Sequence, residues 1–171
     1  MNGCKLSEGR FSFNFEKSIL SVKADNPTFN GLGGVDFIIE LEDRFVFVEV
    51  KDLEDKRVPP EQRAEWVRKL KIGKDNPFLI DMGIKFKDTV LRKWANNEEF
   101  DKPIWFTVIL QLNDMDAAMK IKLSEDLSGK LPTCIGEKYG FKKNLRIKRR
   151  EIISVDDWQN RYPEFPITEV V

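Results

Sequence analysis

Two short, largely apolar runs dominate the first third of the chain, Val35–Leu41 and Phe45–Val50, separated by the polar residues Glu42-Asp43-Arg44. Their length and β-branched and aromatic content predict two strands of a hairpin. Ile104–Leu110 is apolar almost without interruption, the pattern of a strand covered on both faces. Helical periodicity appears elsewhere. Pro59-Pro60-Glu61 opens one helix with Ala64, Trp66, Val67 and Leu70 inward, and Arg63, Arg68, Lys69 and Lys71 largely outward. A second, at about 84–96, buries Phe86, Val90 and Trp94 and turns Lys85, Lys87, Arg92 and Lys93 elsewhere. Residues 6–18 read as an amphipathic helix, although the alternating Phe11, Phe13 and Phe15 also fit a strand. Ile19–Val22 is a first strand and Met119–Leu123 a further one. The tail from Ser154 is a turn and short helix in which Asp156 and Asp157 serve the N-terminus. The fold class is therefore α/β (α+β), a mixed central sheet flanked by helices.

Within the hairpin the charged positions stand out. With Glu42-Asp43 as a two-residue turn, Leu41 faces Arg44 and Asp36 falls opposite Glu49. Asp36, Ile38 and Glu40 then share a face with Phe45, Phe47, Glu49 and Lys51. A four-residue loop sets Asp36 opposite Lys51 on that same face, whereas a bulged three-residue loop breaks the relation. Opposed carboxylates repel unless a positive charge lies between them. Either Lys51 or a divalent cation can supply it, and oxygen ligands suit Mg²⁺ or Mn²⁺. An ammonium beside such a cation can orient water or stabilise charge growing on phosphorus. The chemistry indicated is attack of water on a phosphodiester.

Composition narrows the field. The 171 residues contain no histidine, which excludes Ser-His and Cys-His catalysis and histidine-ligated zinc. Cys4 and Cys134 have neither metal-type spacing nor a disulfide framework, so reduced thiols and a cytoplasmic location are expected. No apolar run approaches the roughly 18 residues of a membrane span, and no membrane partner is expected. The glycines of the loop Asp25–Gly34 precede a strand, not a helix, which argues against a nucleotide-cradling loop. Lysine and arginine total 29 and balance 29 acids, but residues 138–150 are one-sided. Lys138, Lys142, Lys143, Arg146, Lys148, Arg149 and Arg150 occur there without an acid, interleaved with Tyr139 and Phe141. Such a segment can neutralise phosphates; a solvated edge strand is the plainer alternative.

At Asp36, Glu49 and Lys51 the chain resembles the PD-(D/E)xK nuclease superfamily, with Val35 at the proline of the motif's name. The likeness covers residues 34–51; beyond them the order of elements is similar to the family's αβββαβ core. It implies a restriction-endonuclease-like fold and a Mg²⁺- or Mn²⁺-dependent endonuclease. Asp36 and Glu49, joined by the Val50 carbonyl, would hold the metal, and Lys51 would position the water. It also implies an acid from a preceding helix, Glu16 first and Glu8 second, and an accessory Gln62 or Arg63 on the helix after the motif.

One domain is expected over 1–171, with its core at about 6–125 and the basic segment and an appendage at about 126–171. DNA is the expected partner, RNA the variant on the same chemistry, and a homodimer would suit paired-strand cuts. The competing reading is an inactive nucleic-acid-binding or assembly module that keeps the fold, in which Lys51 pairs with Glu49 or Asp36 and the carboxylates are structural.

Overall fold

A computed structural model describes residues 3–25, 31–73, 75–135 and 144–170. The centre is a six-stranded mixed sheet in the order β3-β4-β5-β6-β8-β7. Strands β3 (Leu20–Lys23), β4 (Phe37–Glu40) and β5 (Phe45–Asp52) form an antiparallel meander. Helices α1 (Pro60–Leu70) and α2 (Pro77–Ala95) then carry the chain to β6 (Ile104–Gln111), which pairs parallel to β5. Next come α3 (Ala117–Ser128), the two-residue β7 (Cys134–Ile135) and β8 (Leu145–Ile153), parallel to β6. The apolar run at Ile104–Leu110 is thus the strand between two parallel neighbours, as its pattern requires.

Each face of this sheet carries its own core. Ile38, Phe47, Phe106 and Val108 pack under the helices with Phe78, Leu79, Met82 and Phe86 of α2 and Leu123 and Leu127 of α3. Phe37, Ile39, Val46 and Val48 face the other way, against Phe11, Phe13, Phe15 and Trp158. The second side is closed by a three-stranded sheet of β1 (Lys5–Glu8), β2 (Phe11–Asn14) and β9 (Ile167–Glu169), and by α4 (Val155–Arg161). Residues past 125 thus supply β8, an inner strand of the main sheet, and the fully buried Trp158.

Three elements differ from the sequence expectation. Residues 6–18 form no helix: the β1–β2 hairpin and a turn take their place, and the period of two puts Phe11, Phe13 and Phe15 on one buried face. Gly9, at φ +58°, makes the tight connection. Met119–Leu123 lies inside helix α3, because Asp116 caps it by accepting the Met119 N–H and Leu123 and Leu127 bury one face at i, i+4. Helix α2 starts a full two turns before the expected position, at Pro77 after the Asn76 cap. Its buried stripe runs through Met82, Phe86 and Thr89, and Trp94 is 57% exposed. Ala64 of α1 is likewise exposed. The helix start at Pro59-Pro60 and the capped short helix after Ser154 stand as read; Asp157 completes a capping box with Ser154. No helix among the described residues is long and apolar enough to cross a membrane.

Candidate active site

The hairpin has the two-residue turn. Leu41 N–H donates to the Arg44 carbonyl at 2.8 Å, and the ladder runs from Glu40↔Phe45 to Phe37↔Val48. Asp36 lies one residue beyond its end, at the position that faces Glu49. The ladder stops because side chain replaces backbone there: Val50 N–H donates to Asp36 Oδ2 at 2.6 Å. In an antiparallel strand a residue sends its N–H and C=O to the same side, so the Val50 carbonyl also faces Asp36. Asp36 is 3% exposed and Glu49 is fully buried. With Lys51 they project from the helix-covered face.

Helix α2 contributes a residue that sequence reasoning placed elsewhere. Lys85 reaches Glu49 Oε1 at 2.5 Å, and Lys51 meets the same oxygen at 2.7 Å. Glu49 Oε2 is buried and has no hydrogen-bond partner. The buried positions Met82 and Thr89 lie at i−3 and i+4 from Lys85, so a helix face drawn through them would have revealed the inward lysine. The same helix clamps the approach to β4. Thr89 Oγ1 accepts the Val35 N–H at 2.9 Å and donates to the Lys85 carbonyl at 2.8 Å. Arg92 donates to the Ala24 carbonyl at 2.8 Å, and a Cβ on Gly34 would stand 2.6 Å from that guanidinium. Gly34 therefore permits close packing. Thr89→Val is expected to cost about 1–3 kcal/mol by leaving the buried Val35 N–H unpaired, measured by urea unfolding; an unchanged midpoint would refute the clamp.

A further acidic group adjoins Asp36. Carboxylate oxygens of Glu8, Asp25 and Asp36 lie within 4.8 Å of one another. Glu8 ends β1 and Asp25 follows β3, so the hairpin that replaces the expected helix delivers the acid. Glu8 also pairs with Lys23 at 2.9 Å. Glu16, the first choice, is exposed in the turn after β2, where its backbone N–H and side chain bond Asn14, and it is not in this group. Asp25 was missed because breakers surround it and no periodicity points to it.

The electrostatics of the two central acids differ. Burial and then the charge of Glu49 push the Asp36 carboxyl from 3.8 up to about 7; the Val50 N–H and Lys85 pull less strongly the other way. Burial works to lower Lys85, but the attraction and hydrogen bond of Glu49, aided by Asp36, raise it above the usual lysine value. Glu49 is thus neutralised by two ammoniums, whereas Asp36 sits among acids. The crowded carboxylates of Glu8, Asp25 and Asp36 form an all-oxygen donor set that fits a hard divalent cation; Glu49, with one unpartnered oxygen, is not within that group.

None of the remaining candidates among the described residues forms a hydrogen bond or ion pair with these acids. Gln62 is exposed on α1 and Arg63 is held by Glu54 at 2.6 Å. Lys138, Lys142 and Lys143 fall outside the described residues. Arg146, Lys148, Arg149 and Arg150 are on β8, two strands from β5. Trp105 pairs with both Val46 and Arg149, whereas Val108 pairs with both Glu49 and Ile152. Arg149 is thus level with Val46, about 10 Å before Glu49 along the strands at about 3.3 Å per residue. Its guanidinium lies 4.3 Å from the Trp105 ring centroid, and Arg150 donates to the carbonyls of Leu131 and Pro132. The basic strand is not brought to the acids.

A scan against protein-family models finds no match, and comparison with curated proteins and with solved structures likewise returns no significant match.

Proposed function

We propose that this protein is a metal-dependent nuclease that hydrolyses phosphodiester bonds in DNA through Asp36, Glu49 and Lys51. The observation that carries the proposal is the pair of buried acids on one sheet face, with one Glu49 oxygen unpartnered and two lysines on the other. The meander β3-β4-β5 followed by a helical connection to parallel β6 supports the PD-(D/E)xK resemblance, with a hairpin where that family has its first helix. Asp36, Glu49 Oε2 and the Val50 carbonyl would hold Mg²⁺ or Mn²⁺, while Glu8 and Asp25 gather on Asp36 in a group that does not include Glu49. Such a cation supplies Lewis-acid polarisation of a phosphoryl oxygen and acidifies water. Lys51, 25% exposed at the strand end, can turn from Glu49 to a water or phosphoryl oxygen. Lys85, held by the helix, stays paired with Glu49 while Lys51 moves.

The inactive-module reading draws on one specific contact, the Lys51–Glu49 ion pair. It leaves the Asp36 group without a role. Supercoiled plasmid, single strands, branched DNA and structured RNA, offered with Mg²⁺, Mn²⁺ or EDTA, distinguish the two. Metal-dependent cleavage should fall at least 10²-fold in Lys51→Ala and Glu49→Ala, roughly the loss on removing one transition-state contact. Cutting that survives either substitution, or no cutting of any substrate, would overturn the proposal.

A further inference from the structure

A cavity of about 760 Å³ opens where the carboxyl ends of β5 and β6 meet α1, on the sheet face that carries Lys51. Open α/β sheets bind ligands in this position. Glu54, three residues past Lys51, lines it and ties its walls together: it holds Arg63 of α1 and accepts the Asn113 N–H of the β6–α3 loop at 2.9 Å. Val67, Leu112 and Met119 give it an apolar floor.

Three lysines of α1 and α2 are paired, whereas Lys87 of α2 and three cations of the cavity form no salt bridge among the described residues. Lys69 pairs with Glu65, Lys85 with Glu49 and Lys93 with Glu98. Of the acids lining the cavity, Glu54 is held by Arg63 and Asp55 by Arg57. Lys56, Arg68 and Lys71 line it too, and none forms a salt bridge with a described residue. Arg68 and Lys71 stand at i, i+3 on one face of the helix end, and Lys56 comes from the β5–α1 loop. Asp114 alone opposes them without an ion-pair partner among the described residues. Three cations without ion-pair partners among the described residues thus share one cavity with a single unpaired acid, and a polyanion complements that excess of positive charge.

We infer that this trench, and not the basic strand β8, seats the DNA backbone on one side of the bond to be cut, with Lys56, Arg68 and Lys71 on successive phosphates. The inference rests on the nuclease reading for the position of that bond. Along the chain Lys51 comes between Glu49 and the cavity-lining Glu54, so a strand held there would run past the lysine toward Asp36.

The test is equilibrium binding of a fluorescent DNA duplex in EDTA, by anisotropy over a range of salt concentrations. Each of Lys56→Ala, Arg68→Ala and Lys71→Ala should weaken binding alike for unrelated sequences and make the salt slope shallower by about one. Arg149→Ala should leave the slope unchanged. An unaltered slope in the triple variant, or a loss confined to Arg149→Ala, would overturn the inference, as would tighter trench-dependent binding of duplex RNA. Because no cleavage occurs in EDTA, the two proposals fail separately. Trench-dependent binding by a protein that never cuts would sink the nuclease alone; active enzyme with an unchanged slope would sink the trench alone.

Discussion

Asp36→Asn melts at a higher temperature than the wild type above pH 7 when divalent cations are chelated. Folding raises the Asp36 carboxyl from 3.8 to about 7 because it is buried beside Glu49. Between those values the folded state binds a proton that the unfolded state has released, so this group's contribution to stability falls as pH rises and is least favourable above about 7. That difference corresponds to at most about 4 kcal/mol. Asparagine has no charge to bury and can still accept the Val50 N–H. A gain of several degrees is expected at pH 8, shrinking toward pH 4, while cleavage is lost. Calorimetric scans of both proteins across that range in EDTA read the difference directly. A lower melting temperature for Asp36→Asn at pH 8 would mean that the carboxylate is a structural anion, as in the inactive module.

Glu49→Gln shifts stability the opposite way. Removing the carboxylate leaves Lys51 and Lys85 converging on a neutral amide at a site they occupy for its charge. Breaking a buried ion pair typically costs 3–5 kcal/mol; about 3 is expected here, because both lysines are partly exposed and can turn toward water. Adding Lys85→Met should recover part of the loss, since it removes one stranded ammonium. Urea unfolding of the single and double variants measures this, and a Glu49→Gln protein as stable as the wild type would refute the two-lysine arrangement. Two acids that face each other across one hairpin thus respond with opposite signs. The difference arises from where α2 puts Lys85.

The hairpin was legible because its information is local. Alternation fixes which side chains share a face, and Glu42-Asp43 fixes the register, so Asp36 and Glu49 could be paired from spacing alone. Lys85 depended on the register of a helix more than thirty residues away. A stripe through Phe86, Val90 and Trp94 fits a helix period, but the buried side of α2 is set by Met82, Phe86 and Thr89 packing on the sheet. Glu8 and Asp25 come from a hairpin and a strand end whose approach to Asp36 is tertiary, with no trace in spacing. For Met119–Leu123, five apolar-rich residues suit either period, and the Asp116 cap decides. The basic run shows the limit of composition: it reports how many charges gather, not which end of a sheet they reach.

Titration of Mn²⁺ into the metal-free protein at pH 7.5, followed by calorimetry, tests most directly whether these carboxylates hold a cation. Saturable binding is expected in the wild type, with proton release from Asp36, and its loss in Asp36→Asn. Absence of binding, or binding that Asp36→Asn leaves intact, would contradict a metal-dependent site at this hairpin.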